Sequence, residues 1–125
     1  INELLDYIKG KGLKAAVFSN KAHPVTERIV DILFGMGCFD IVRGAVDGFP
    51  KKPDPAGASL IAKSFGINPD EVLYLGDSDV DCMTAGNGGF PFIAALWGYR
   101  SRKQLEASGA SVFIEKPGAL TDFLG

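Results

Sequence analysis

The chain has 125 residues, enough for one domain around one hydrophobic core. Apolar residues make up 46% and charged residues 22%, a balance that excludes a disordered chain. A net charge of -2 offers no clustered basic surface for nucleic acid, and no apolar run approaches the ~18 residues of a membrane span.

In chain order, helical patterns alternate with short apolar runs. Leu4, Leu5 and Ile8 have helical spacing, and Gly10 and Gly12 stop that helix. Residues 13–18 are apolar apart from Lys14 and predict a buried strand ending at Ser19-Asn20. Pro24 suits a first helical position, where its missing N–H costs nothing. Val25, Ile29, Ile32, Leu33 and Met36 then mark one helical face, closed by Gly35 and Gly37. Residues 39–42 predict a short strand, and the glycines and prolines of residues 43–53 a loop. Asp54 is a good N-cap and Pro55 a good first-turn residue. Leu60, Ile61 and Phe65 predict the buried stripe of the helix that follows, with Gly66 at C′. After a turn at Asn68-Pro69-Asp70, residues 72–75 form a strand ending at Gly76-Asp77. A helix from about Asp79 to Asn87 closes at Gly88-Gly89. Residues 90–96 predict a strand, 101–107 a short helix, 112–114 a short strand and 120–124 a terminal helical turn.

Strands alternating with helices across short connections imply an α/β, Rossmann-like three-layer core with a mainly parallel sheet covered on both faces. No internal repeat or linker divides residues 1–125. Cys38 and Cys82 have no metal-type spacing and sit among apolar residues, which predicts reduced thiols of a cytoplasmic protein. No basic segment leads into a signal-like apolar one. The chain opens Ile1-Asn2-Glu3 without an initiator Met, consistent with a piece of a longer protein.

Ligands of an open parallel sheet bind beyond the C-terminal ends of its strands. Three polar groups fall there: Ser19-Asn20, Lys51-Lys52-Pro53 and Asp77-Ser78-Asp79, with Asp81 on the following helical turn. A hydroxyl and backbone N–H groups at a helix start bind phosphate, and a lysine in a proline-stiffened loop adds a positioned charge. Carboxylates at a strand end are the hard oxygen ligands that Mg²⁺ takes alongside water and phosphate. Each signal also has a bland reading. Ser19 and Asn20 are strong cap formers, Ser78 with Asp81 has capping-box spacing, paired lysines in a loop are usually solvated, and Asp79 is read as facing solvent.

Taken together and in order, these groups resemble the motifs of the haloacid dehalogenase (HAD) superfamily. Val17-Phe18-Ser19-Asn20-Lys21 resembles the second motif and Lys52-Pro53-Asp54-Pro55 the third. Leu73-Tyr74-Leu75-Gly76-Asp77-Ser78-Asp79-Val80-Asp81 resembles the fourth. Leu96-Trp97-Gly98-Tyr99-Arg100-Ser101 is similar to a segment of the phosphoglycolate phosphatases within it. The resemblance implies a Mg²⁺-dependent hydrolase of a small phosphorylated metabolite that works through an aspartyl-phosphate. Ser19 and Asn20 would bind phosphate, and Lys52 would hold it and neutralise the nucleophile. Asp77 would bind Mg²⁺, and Asp81 would orient Lys52 or metal-bound water.

One departure is large. The family's first motif, Asp-x-Asp-Gly, supplies the nucleophile and the general acid/base, and no such stretch is present. The cap that selects substrate lies between the first and second motifs, so residues 1–12 are expected to be the helix that re-enters the core after it. The core should lack its central strand, between the strands at residues 13–18 and 72–75. Those strands are expected to close on each other, to be completed by the missing segment, or to recruit a strand from another molecule in an oligomer. The isolated chain is expected to be inactive. The alternative is a non-catalytic α/β module that binds phosphate or metal.

Overall fold

The computed structural model describes residues 2–35 and 37–124. Helix α1 (Asn2–Gly10) leads to strand β1 (Ala16–Ala22), helix α2 (His23–Phe34) and strand β2 (Ile41–Ala45). Helix α3 (Ala56–Ser64) and a 3₁₀ turn (Pro69–Glu71) precede strand β3 (Tyr74–Gly76). Helix α4 (Asp79–Gly88), strand β4 (Phe92–Ala95), helix α5 (Arg102–Ala107) and strand β5 (Phe113–Ile114) follow. A second 3₁₀ turn (Pro117–Leu120) runs into helix α6 (Thr121–Leu124).

Every strand pairing is parallel, as the alternation requires, but the strands form two sheets, β1-β2 and β3-β4-β5. Among the described residues β1 and β3 share no ladder, so they have not closed on each other. Side chains bridge them instead. Phe18 of β1 and Tyr74 of β3 pack into one apolar cluster around Ala58, Ala62, Ala85 and Phe90.

Strand alternation assigns the layers. Ile93 and Leu75 face α1 and the C-terminal turn, in a cluster with Leu4, Ile114 and Leu120. Ala94 points the other way, onto Cys82 of α4 and Leu105 of α5. Helix α3 covers the Phe18 and Arg43 side of β1-β2, with Gly57 against the Phe18 ring. Helix α2 lies on the opposite side, where Gly44 meets His23 and Thr26, and Lys9 of α1 donates to the Gly37 carbonyl on that side (3.2 Å). With Ile93 only 2% exposed, Ile93→Ala is expected to cost about 2–5 kcal/mol in urea unfolding. A loss below about 1 kcal/mol would deny Ile93 its central place.

Several boundaries and faces differ from those the pattern predicts. Strand β1 starts at Ala16 rather than residue 13, and Leu13 is exposed. Strand β1 also continues through Ser19-Asn20, because those residues are a bulge: Phe18 pairs with Arg43 and Ala22 with Ala45. Strand β2 runs to Ala45, into what reads as loop. Asp54 stands one residue before the N-cap Pro55, yet its carboxylate accepts from the Ala56 N–H (2.9 Å). On α3 the buried residues are Gly57, Ala58 and Ala62, while Leu60 is exposed.

The largest difference is on α2. Val25, Ile29, Ile32 and Leu33 are exposed, whereas Thr26 and Val30 are buried. Met36, expected on the same face, lies outside the described residues. Helix α2 is seated by its start: the Thr26 hydroxyl donates to Lys21 and Ala22 carbonyls, and the Gly44 N–H donates to His23 Nδ1 (3.0 Å). These polar contacts turn the helix so that Thr26, one residue along from Val25, faces the strands. Both cysteines are free; Cys82 is buried, and burial first, then the Asp81 charge, raises its thiol pKa.

Candidate active site at the ends of β1 and β3

The residues singled out by sequence come together where β1 and β3 end. Lys52 is the hub. Its side chain is only 11% exposed, and its Nζ donates to Asp81 Oδ1 at 2.8 Å and to the Phe18 carbonyl at 3.3 Å. The Phe18 ring lies under the ammonium at 5.4 Å. A buried charge needs such partners, because desolvation without them costs several kcal/mol.

Asp81 is the bridge. Its other oxygen accepts from the Asp77 backbone N–H at 3.2 Å, so one carboxylate ties Lys52 to the loop carrying Asp77. The local sequence makes this possible. Ser78 caps α4, its Oγ accepting from the Asp81 N–H at 3.1 Å. The reciprocal half of a capping box is absent, because the Asp81 carboxylate reaches Asp77 instead of Ser78. Gly76 leaves the space: a Cβ there would sit 2.4 Å from that of Asp81.

Asn20 clips the Lys52 loop in place. Its Nδ2 donates to the Lys52 carbonyl (3.2 Å), and its Oδ1 accepts from the Lys52 N–H (2.9 Å). Both ends of the amide are therefore engaged by the Lys52 backbone, an arrangement that positions Lys52. Ser19 Oγ accepts from the Lys21 N–H (3.1 Å), leaving its own proton to donate. Neither residue caps α2, whose N-cap is Ala22 without a side-chain bond.

Asp77 differs from these. It is exposed, and among the described residues its carboxylate accepts no hydrogen bond and forms no ion pair. Asp79, read as a solvent-facing residue, is half-exposed but paired: Arg100 Nε donates to its Oδ1 at 3.1 Å, which holds its carboxyl below the usual range. Tyr74 has a buried hydroxyl without a hydrogen-bond partner among the described residues. Burial first, then the Asp81 charge, pushes its pKa up, while the nearby Thr84 hydroxyl, which opposes that shift, already donates to the Val80 carbonyl (2.7 Å). The Arg100–Asp79 pair and the clip made by Asn20 have no local sequence pattern, since they join residues 21 and 32 positions apart.

The donor set fits a hard divalent cation only in part. Asp77 offers one uncommitted carboxylate at a strand end, and Mg²⁺ is held by one or two carboxylates plus water and phosphate. Among the described residues no three His, Cys, Asp or Glu side chains cluster to hold a metal unaided. A cation held here would need further ligands besides Asp77.

A largely buried lysine tied to a helix-start aspartate, beside an uncommitted aspartate at the end of a parallel strand, marks the C-terminal edge of this α/β core. The model of the haloacid dehalogenase-like hydrolases matches residues 1–95, and the chain belongs to that family. It is 37% identical over 95 residues to the phosphoglycolate phosphatase of Aquifex aeolicus, covering 76% of this chain and 45% of that protein. Against the phosphoglycolate phosphatase of Escherichia coli it is 29% identical over 125 residues, all of this chain and 50% of the relative. The crystal structure of a candidate phosphoglycolate phosphatase from Lactobacillus delbrueckii superposes with a TM-score of 0.92 at 35% identity, covering 99% of this chain and 52% of that one. The chain thus spans about half the length of the curated relatives it matches.

Proposed function

We propose that this chain is the phosphate- and metal-binding part of a Mg²⁺-dependent phosphomonoesterase acting on phosphoglycolate or another small phosphorylated metabolite. The observation that carries this reading is the largely buried Lys52 side chain, its ammonium fixed 2.8 Å from Asp81 where β1 and β3 end without a mutual ladder. The names of the relatives support the substrate class. The two free thiols suit the reducing cytoplasm.

In this reading a strand from a segment upstream of residues 1–125 fills the gap between β1 and β3, and an aspartate at its end attacks phosphorus. The bond to phosphorus forms as the P–O bond to the leaving oxygen breaks, with the second aspartate of the same Asp-x-Asp motif giving that oxygen the proton it needs to depart as the alcohol. Water, losing a proton to that aspartate, would then cleave the aspartyl-phosphate, returning the carboxylate and releasing inorganic phosphate. Lys52 presents its charge to the phosphate oxygens. The Ser19 hydroxyl donates to one of them, Asn20 fixes the Lys52 backbone, and Asp81 aims the ammonium. Asp77 would hold Mg²⁺, which offsets the negative charge gathered between nucleophile and phosphate.

Residues 1–125 alone should show no turnover of para-nitrophenyl phosphate with Mg²⁺, because covalent catalysis needs its nucleophile. Co-expression with an upstream half bearing the Asp-x-Asp motif should restore turnover by filling the unpaired edges of β1 and β3. Turnover by a purified, monomeric 125-residue chain would overturn the division of labour. A complemented protein with no activity on any phosphomonoester would instead favour the non-catalytic binding module.

A further inference from the structure

We propose that the loop of residues 96–101 is a clamp that sets the orientation of the Asp77 carboxylate, with Gly98 as its positioning residue and Arg100 as its anchor. This rests on the reading of Asp77 as the metal-binding carboxylate.

The Asp77 backbone N–H is held by Asp81, but no hydrogen bond or ion pair among the described residues orients its carboxylate. What touches it is Gly98. A Cβ on Gly98 would lie 2.5 Å from Asp77 Oδ2, 2.7 Å from its Cβ and 2.8 Å from its Cγ. The bare Gly98 backbone therefore lies against the Cβ, Cγ and Oδ2 side of Asp77. Gly98 does not have a positive φ, so the close approach to Asp77 is the main obstacle to alanine there.

That backbone must itself be held. Tyr99 is fully exposed and adds no packing. Arg100 supplies the tether, its Nε donating to Asp79 Oδ1 at 3.1 Å on the first turn of α4. Asp79 is two residues from Asp77, so the ion pair joins the loop to the segment carrying the carboxylate it braces. An exposed pair contributes little to folding stability, so its loss should alter placement more than folding.

The test uses the full-length protein, comprising this chain and the upstream half. Mn²⁺ serves as the probe, with binding read from the electron paramagnetic resonance signal of free ion. Thermal unfolding and Mg²⁺ activation are followed beside it. Gly98→Ala should weaken Mn²⁺ binding at least tenfold with little change in Tm. It should raise the Mg²⁺ concentration for half-activation more than it lowers kcat at saturating Mg²⁺. Arg100→Gln should move both readouts the same way by a smaller factor, and Arg100→Lys should restore them. Should Gly98→Ala fail to fold, Arg100→Gln, altered at a half-exposed side chain, still decides the matter. Wild-type Mn²⁺ affinity in Gly98→Ala and Arg100→Gln, with affinity lost in Asp77→Asn, overturns the clamp and leaves the metal reading standing. Wild-type affinity in Asp77→Asn overturns the metal reading and the clamp with it.

Discussion

Lys52→Ala in the full-length protein is expected to lower kcat by about 10²–10³-fold, the loss typical of removing one donor that stabilises developing charge. The lysine is placed for this by three independent contacts: Asp81 Oδ1 at 2.8 Å, the Phe18 carbonyl at 3.3 Å, and backbone bonds to Asn20 on both sides of its Cα. Substitution also strands the Asp81 carboxylate, whose side chain is 13% exposed. Asp81 keeps one bond, from the Asp77 N–H. Breaking a buried pair by removing one partner costs about 3–5 kcal/mol, so part of the defect will be structural. Steady-state kinetics must therefore be paired with thermal unfolding well below the new Tm. A folded variant with near wild-type kcat would remove Lys52 from the chemistry. Lys52→Arg is not expected to restore activity, because a planar guanidinium cannot reproduce the compact contact with Asp81 and the Phe18 carbonyl.

Asp77→Asn should show the second large effect. The amide preserves shape but removes the charge that a hard cation requires. Loss of even an outer-sphere partner typically costs 10–100-fold in metal affinity, so this change should raise the Mg²⁺ requirement by at least ~10-fold. It should lower turnover at every Mg²⁺ concentration. The fold should be spared, because the Asp77 side chain is exposed and makes no polar contact with the described residues. That expectation separates Asp77 from Lys52: one variant loses activity with Tm intact, the other with Tm reduced. An Asp77→Asn protein with unchanged Mg²⁺ dependence would refute the metal role.

On the proposed reading, a completing strand would enter between β1 and β3. Strands β1 and β3 remain without a mutual ladder, although Phe18 and Tyr74 meet in one cluster beside the gap. The site residues line the mouth of that gap, and two sheets stand where one was expected. Helix α2 has a second unmet surface, since Val25, Ile29, Ile32 and Leu33 face outward.

The sequence by itself determined the element order, the parallel pairing, and which residues would gather at the strand ends. Those features are local or topological. Apolar periodicity selects helix or strand, Gly89 and Gly66 close helices, and parallel strands deliver their C-terminal ends to one edge. Ser19, Lys52, Asp77 and Asp81 could be named in advance because each sits in a recognisable run at such an end. Tertiary structure alone decided the rest. It turned α2 by one residue, because the Gly44 approach and the Thr26 hydroxyl bonds outweigh an apolar stripe read from spacing. It engaged Asn20 with the Lys52 backbone 32 positions away, and Arg100 with Asp79 across 21. It laid Gly98 against Asp77 and, among the described residues, left β1 and β3 without a mutual ladder. Such contacts join residues that carry no mutual signal along the chain. They depend on where the layers bring side chains together, and only packing of the whole chain fixes that.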